Sequence, residues 1–309
     1  MVTTRRNLSA LVLTAAIAAL AIGVIRALDL GPGSKALTAA TSSKHSQHEG
    51  ASSEGRHEGH KAARRTQPAA LENGRYALEV DQQVVPVGAR HFTFKVTDAG
   101  TGEPVTHFDV EQSKKLHLIV VREDLTGFQH VHPTLDKRGR WTATEAVLGR
   151  AGSWRLIADF VPAGGTQTVL SSTVQATGGF YRARPLRESK RAGEHRWQTT
   201  LPGFKVTVDA RDYVRGKDGR MEFSVRRRGR PAAGLQPYLG AYGHAVLLRR
   251  GDVAYTHVHP REGVPRKGKI VFDVAYPRGA PLGLFLQFRH GRKVRTAEFG
   301  LPSPPAPSE

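Results

Sequence analysis

The segment from His117 to Pro133 recurs in the chain as the segment from His244 to Pro260. The first copy reads His117-Leu-Ile-Val-Val-Arg-Glu-Asp-Leu-Thr-Gly-Phe-Gln-His-Val-His-Pro133, and the second reads His244-Ala-Val-Leu-Leu-Arg-Arg-Gly-Asp-Val-Ala-Tyr-Thr-His-Val-His-Pro260. They align without a gap and share six of 17 residues, which are three His, one Arg, one Val and one Pro. An apolar run, a polar centre and a second run ending in proline predict a β-hairpin in each copy.

The sequence around the two hairpins repeats as well. Short runs rich in Val, Ile, Phe, Tyr and Thr alternate with Gly, Pro and Asp, which is typical of strands joined by turns. The predicted strands of the first copy are Tyr76–Val80, His91–Val96, Leu116–Arg122, Phe128–His132, Trp141–Val147, Trp154–Phe160 and Thr168–Val174. In the second copy, Phe204–Val208, Arg220–Val225 and Leu284–Phe288 align with the first, second and sixth of these. The pattern predicts an all-β protein with two tandem Ig-like or cupredoxin-like β-sandwich domains.

Composition divides the chain into six segments. They are an apolar helix at 1–28, a disordered His-rich linker at 29–73, sandwich repeat one at 74–177, a basic connector at 178–200, sandwich repeat two at 201–301 and a disordered tail at 302–309. In the first segment, Arg5 and Arg6 precede an uncharged run from Leu8 to Ile25. This indicates a single-pass anchor in the cytoplasmic membrane with the later domains outside, or a secreted protein if the segment is cleaved.

The histidines carry the chemistry. His-x-His on a strand places two rings on one face, and a hairpin brings the earlier histidine opposite or diagonal to them. The sequence therefore predicts one cluster per repeat, formed by His117, His130 and His132, and by His244, His257 and His259. Three imidazoles suffice as a first shell for Cu(II) or Zn(II). Asp159 could add a ligand in the first repeat, where the aligned residue of the second is Gln287 and His290 follows.

The linker offers a second, looser set of ligands. Two His pairs, His45 with His48 and His57 with His60, lie among glutamates in a segment with almost no large apolar residue. They could capture a borderline metal ion, or they could be inert parts of a polar tether.

Composition excludes several classes of protein. There is no cysteine, which removes disulfides, thiolate nucleophiles, zinc fingers and blue-copper sites. The formal charge of +19 suits attraction to anionic lipid or cell-wall polymer, or simply a basic surface. No nucleic-acid-binding motif accompanies the basic runs, so a nucleic-acid partner is not expected.

Three functions remain open. The first is a non-enzymatic protein that binds or hands on copper or zinc outside the membrane. The second is an envelope scaffold or adhesion protein whose histidines are structural and whose basic surface binds anionic polymer. The third, an enzyme using a metal-bound water, lacks a general base placed by motif beside the cluster, so the sequence predicts no enzyme. Arg122 and Arg249 are expected to pair with Asp124 and Asp252.

At these hairpins the chain resembles a group of uncharacterised bacterial exported or membrane-anchored proteins. They share an H…D-L-x-x-F-x-H-x-H-P signature, and some are labelled heavy-metal-associated. The first repeat matches through Asp124, Leu125, Phe128, His130, His132 and Pro133. The second has Asp252 one residue nearer to its histidines. The resemblance implies an envelope location and metal handling, and it implies no particular reaction.

Overall fold

The protein is described from a computed structural model that covers residues 74–179, 181–182 and 184–307. The predicted anchor at 1–28 and the linker at 29–73 lie outside these residues. Among the residues covered, no helix has the length and apolar character needed to cross a membrane. Both repeats belong to one compact unit.

The first repeat is built from two sheets. One has the strand order β1-β3-β8-β7, and the other has the order β2-β10-β9-β5-β6 with β4 added to β9. The strands are β1 (Tyr76–Val80), β2 (Val84–Pro86), β3 (Arg90–Asp98), β4 (Phe108–Asp109), β5 (Leu116–Arg122), β6 (Gln129–Val131), β7 (Thr134–Leu135), β8 (Arg140–Val147), β9 (Gly152–Pro162) and β10 (Thr168–Thr177).

The second repeat has the same succession of hairpins in one continuous sheet, ordered β11-β12-β13-β14-β19-β18-β17-β20-β16. A 3-10 turn at Arg266–Gly268 precedes β19. The strands are β11 (Lys190–Gly193), β12 (Arg196–Leu201), β13 (Phe204–Asp209), β14 (Asp218–Arg227), β15 (Arg230–Pro231), β16 (Leu235–Gln236), β17 (His244–Arg249), β18 (Tyr255–Pro260), β19 (Lys269–Ala275), β20 (Leu282–His290) and β21 (Lys293–Leu301).

The two repeats close their sheets differently around an aligned proline. In the first repeat the returning chain is split at Pro133 into β6, which pairs with β5, and β7, which pairs with β8. In the second repeat β18 continues to Pro260 and pairs with both β17 and β19. Because proline donates no hydrogen bond to a ladder, it separates strands in one copy and ends a strand in the other.

Each repeat has a core of its own, which confirms the predicted all-β sandwich architecture. The first core contains Trp141, which packs against Phe94 and Phe108. The second contains Phe223 packed against Phe272. All seven strands predicted in the first copy, from Tyr76–Val80 to Thr168–Val174, overlap strands of the structure.

A third apolar cluster joins the repeats. Strand β5 is buried along its whole length, because Leu118 and Val120 face the first core while Ile119 and Val121 face the other repeat. Their partners on β17 are Val246 and Leu248. The histidine-bearing faces of the two hairpins therefore meet each other.

The contact between repeats is approximately two-fold symmetric. Phe128 of the first repeat stacks on Phe285 of the second, with ring centroids 4.1 Å apart. Tyr255 and Ile157, which align with Phe128 and Phe285, lie in the same cluster. Each repeat thus offers an equivalent surface to the other, as the subunits of a symmetric dimer do.

Two segments differ from what composition suggests. Strand β11 and all of β12 except its last residue, Leu201, lie within 178–200, where the sequence predicts a connector, and Trp197 of β12 is fully buried in the second core. The first residues of the proposed tail lie against the second repeat, where Tyr213 donates to the carbonyl of Pro302 and Arg215 N–H donates to that of Pro305. The strand pair β11–β12 was difficult to predict because the segment is rich in basic residues and only alternate positions of β12 face the core.

Candidate metal centre between the repeats

The β5–β6 hairpin places three histidines on one face. Ile119 lies opposite His130, and the same antiparallel register sets His117 against His132. Residues opposite each other point to the same side of a sheet. The three rings therefore share the face of Ile119, which is the face that meets the second repeat.

The three rings converge. Centroid separations are 5.2 Å for His117 and His130, 5.1 Å for His117 and His132, and 4.7 Å for His130 and His132. One nitrogen from each ring lies within 4.8 Å of the other two, and these residues form the one such group among the described residues. Nitrogens bound to one tetrahedral zinc ion lie about 3.4 Å apart. The spacing is therefore within a small adjustment of a three-nitrogen site.

A hydrogen bond at the rim fixes where the His117 ring proton points, and a second one places the His130 proton for the Gln287 amide orientation of this structure. His117 Nε2 lies 3.1 Å from the carbonyl oxygen of Glu111, which can only accept, so Nε2 carries the proton. His130 Nδ1 lies 2.8 Å from Oε1 of Gln287 in the second repeat. With the Gln287 amide oriented as in the structure, His130 Nδ1 donates to this oxygen. Both inner nitrogens, His117 Nδ1 and His130 Nε2, then present lone pairs to each other across 3.0 Å.

His132 completes the group. Its Nε2 is buried and has no hydrogen-bond partner. Burial, with a smaller contribution from His117 and Lys114, lowers the pKa of His132 to about 3. Burial also lowers the pKa of His130 well below its usual value, assisted by His132 and His117. Both rings are therefore neutral at pH 7, which is the form that binds a metal ion.

The second repeat contributes His244 from the facing strand. Its centroid is 6.3 Å from that of His117 and 6.1 Å from that of His130. His244 Nε2 donates to the carbonyl of Tyr238 at 2.8 Å, which is the residue six positions earlier, as Glu111 is for His117. In each repeat the first histidine of the hairpin is therefore held by the same hydrogen bond from Nε2 to a backbone carbonyl. Its Nδ1 points away from that carbonyl.

His259 of the second repeat also lies in this region. It lines a pocket of about 170 Å³ together with His117 and Asp159. The backbone of His257 lies in β18, and its side chain is outside what the structure describes. The sequence predicts one cluster in each repeat, and the structure brings histidines of both repeats to one interface. His290 is not among them, because it lies at the end of β20 and packs against Phe204.

Asp159 is placed beside the cluster without joining the three-nitrogen group. It lies opposite His117 on β9 and is 3% exposed. Its carboxylate accepts hydrogen bonds from Tyr255 Oη at 2.7 Å and from Gln167 Nε2 at 3.0 Å. Burial and this carboxylate raise the pKa of Tyr255 well above its usual value, so the phenol remains a donor. Asp159 thus ties the two repeats together at the rim of the site.

Sequence reasoning did not anticipate Tyr255 or the role of Gln287. The alignment of the two repeats could have indicated both residues, because Gln287 occupies the position of Asp159 and Tyr255 occupies that of Phe128. The predicted arginine pairs are confirmed, with Arg122 on Asp124 and Arg249 on Asp252. The linker histidines, His45, His48, His57 and His60, lie outside the described residues.

Solved structures give a weak likeness. The Yersinia pseudotuberculosis adhesin InvE is 11% identical with a TM-score of 0.22, over 75% of this chain and 60% of that one. A Salmonella alpha-2-macroglobulin mutant is 12% identical at 0.23, over 76% and 15%. A Ca²⁺-stabilised ice-binding adhesin of an Antarctic bacterium is 12% identical at 0.23, over 74% and 48%. This chain thus spans between 15% and 60% of these structures, and at such TM-scores they carry no functional argument.

The curated proteins include no match. A family described as Domain of unknown function (DUF8832) matches at residues 69–178 and again at 199–303, so one copy covers each repeat. These two matches span more than two thirds of the chain and coincide with the internal duplication. The chain therefore belongs to the DUF8832 family.

Proposed function

We propose that this protein binds divalent copper or zinc, outside the cytoplasmic membrane, at the centre formed by His117, His130 and His132. The observation that carries the proposal is the pair of inner nitrogens, His117 Nδ1 and His130 Nε2, at 3.0 Å. Their outer nitrogens face oxygen acceptors at Glu111 and Gln287. Metal-binding histidines characteristically donate their other N–H to a carbonyl or carboxamide oxygen in this way.

An alternative set of hydrogen bonds would satisfy the side chains of His117 and His130 without a metal ion. If the Gln287 amide is rotated, its Nε2 donates to His130, His130 donates to His117, and His117 donates to Glu111. This chain satisfies both rings without an ion. It leaves the buried His132 Nε2 without a partner, at a cost of about 1–3 kcal/mol. A metal ion satisfies all three rings at once.

The proposed role is binding and transfer, without catalysis. No carboxylate belongs to the three-nitrogen group within the described residues, and Asp159 is engaged by Tyr255 and Gln167. With three protein ligands, a fourth position remains for water or for a ligand on a partner that delivers or accepts the ion.

Replacing His132 tests the proposal most simply. In residues 74–309, purified without a His tag, His132→Ala should weaken Zn²⁺ or Cu²⁺ binding by about 100-fold, since one of three ligands is lost. Isothermal titration measures this, and elemental analysis gives the stoichiometry. The exposed His107 supplies a matched control, and His107→Ala should bind as wild type.

The same titration addresses the second set of histidines. A second equivalent of metal that disappears in His259→Ala would support a second centre at His244, His257 and His259, as the sequence predicts. Unchanged binding by His132→Ala would refute the proposed centre.

A second candidate is a scaffold or adhesion protein of the cell envelope. It is favoured by the bonds that cross between repeats, His130 to Gln287 and Tyr255 to Asp159, because these give the histidines a structural use. In that case His132→Ala would change the melting temperature in metal-free buffer, and added Zn²⁺ or Cu²⁺ would change nothing.

A further inference from the structure

The second repeat carries a group of basic residues on two neighbouring hairpins. The β14–β15 hairpin reads Arg-Arg-Arg-Gly-Arg-Pro at 226–231, and the β20–β21 hairpin reads Arg-His-Gly-Arg-Lys-Val-Arg at 289–295. Neither of these two stretches, 226–231 and 289–295, contains an acidic residue. We call the eight basic residues the basic platform: Arg226, Arg227, Arg228, Arg230, Arg289, Arg292, Lys293 and Arg295.

One aromatic ring holds the two hairpins side by side. The guanidinium of Arg227 lies 5.9 Å from the centroid of Phe204, and that of Arg295 lies 4.7 Å from it. The two positive charges are therefore within about 11 Å of each other, close to the Debye length at physiological salt. Their repulsion opposes this arrangement, and a bound anion would relieve it.

Hydrogen bonds to backbone carbonyls, and not ion pairs with carboxylates, hold the platform arginines in place. Arg226 Nε donates to the carbonyl of Gly229 at 3.0 Å, and Arg295 Nη1 donates to that of His290 at 2.8 Å. Arg289 Nε donates to Gly291 at 3.3 Å. Within the part of the chain that the structure covers, no ion pair joins a platform residue to Asp or Glu. The remaining N–H groups are thus available to an external anion.

The first repeat shows that the fold does not require these charges. Its aligned segments are Thr-Asp-Ala-Gly-Thr-Gly at 97–102 and Val-Pro-Ala-Gly-Gly-Thr-Gln at 161–167. Both form the corresponding turns without any Lys or Arg. Because the corresponding hairpin turns of the first repeat carry no basic residue, the positive charge of the second repeat is not needed for folding.

We propose that the basic platform docks a linear phosphate-bearing polymer of the cell envelope. Seven of its eight residues are arginine, whose planar fork matches phosphate oxygens two at a time. Successive phosphates of a chain can engage successive arginines, which gives avidity. Val294, 40% exposed, is the one large apolar side chain exposed on either hairpin, so the platform lacks the apolar surface used to insert into lipid.

The test uses the full chain in neutral detergent, with long-chain inorganic polyphosphate as the probe. The platform variant takes the residues of the first repeat at three aligned positions: Arg228→Ala, Arg230→Thr and Arg292→Gly. The control removes the same charge from exposed positions elsewhere, by Lys137→Ser, Arg138→Ser and Arg182→Ser. Circular dichroism and melting temperature should be unchanged in both.

We expect the platform variant to bind polyphosphate at least about tenfold more weakly at low salt, with a shallower dependence of affinity on salt. The control should stay within about twofold of wild type. Equal losses in the two variants would mean that binding follows net charge alone, and would overturn the proposal. Equal affinity of wild type for polyglutamate, or displacement of polyphosphate by phosphatidylglycerol added to the micelles, would also overturn it.

Discussion

Acidification should destabilise the metal-free protein between about pH 6.5 and pH 3, because the unfolded chain gains protons on His130 and His132 that the folded chain does not. The folded-state pKa of each ring is depressed, chiefly by burial. The stability that these neutral rings contribute is therefore complete above the unfolded pKa of about 6.5 and is lost as the pH falls. At pH 5 the loss should be up to about 2 kcal/mol for His132, whose folded-state pKa is about 3, and His130 adds a loss in the same direction.

Urea denaturation at pH 7 and pH 5, in a buffer with a chelator, measures this loss. His130→Asn removes the titrating group and should flatten the dependence on pH, whereas His107→Ala should leave it as in wild type. The expectation is contradicted if His130→Asn and wild type lose the same stability between the two values of pH. Bound metal should raise stability at pH 7 and lose that effect below about pH 6, since protons compete with it.

Phe285→Ala should lower the free energy of unfolding of residues 74–309 by about 3–5 kcal/mol. Phe285 is fully buried, and its ring stacks on Phe128 with an interplanar angle of 6°. The lost contacts lie between the repeats and outside the second core. The same change in residues 184–309 alone should cost much less, because Phe128 is then absent and the ring faces solvent.

Comparing the two lengths of chain separates interface from core. Phe272→Ala, in the second core, provides the control and should cost a similar amount in both. Equal losses for Phe285→Ala in the long and the short chain would show that the two repeats do not stabilise each other through this surface. The isolated repeats are also expected to self-associate, since each would expose an apolar, self-complementary face.

The hairpin geometry was predictable from spacing, and the interface was not. An antiparallel pair with period-two alternation fixes which of His117, His130 and His132 share a face, whatever surrounds them. Which face meets the other repeat depends on packing between domains. A sign of it was present in the run from Leu118 to Val121, since an unbroken apolar run within a strand indicates burial on both faces.

Other features depend on single residues whose partners are distant in sequence. Gln287 is 157 positions from His130, and Tyr255 is 96 from Asp159, so neither contact follows from local pattern. Strands β11 and β12 were hidden by charge, because Trp197 alone in β12 is fully buried there. Recurrence at fixed spacing predicts which histidines lie together, whereas the residues that hold them in place do not follow from the sequence.

Anomalous diffraction from crystals of residues 74–309 grown with Zn²⁺ or Cu²⁺ would locate the metal ion. We expect an anomalous peak between the β5–β6 hairpin and the second repeat, bonded to His117 Nδ1 and His130 Nε2 at about 2.0–2.1 Å, with His132 as third ligand. The Gln287 oxygen should remain in contact with His130 Nδ1. Absence of a peak at this position, with the Gln287 amide rotated to donate to His130, would contradict the metal centre and establish the histidines as structural.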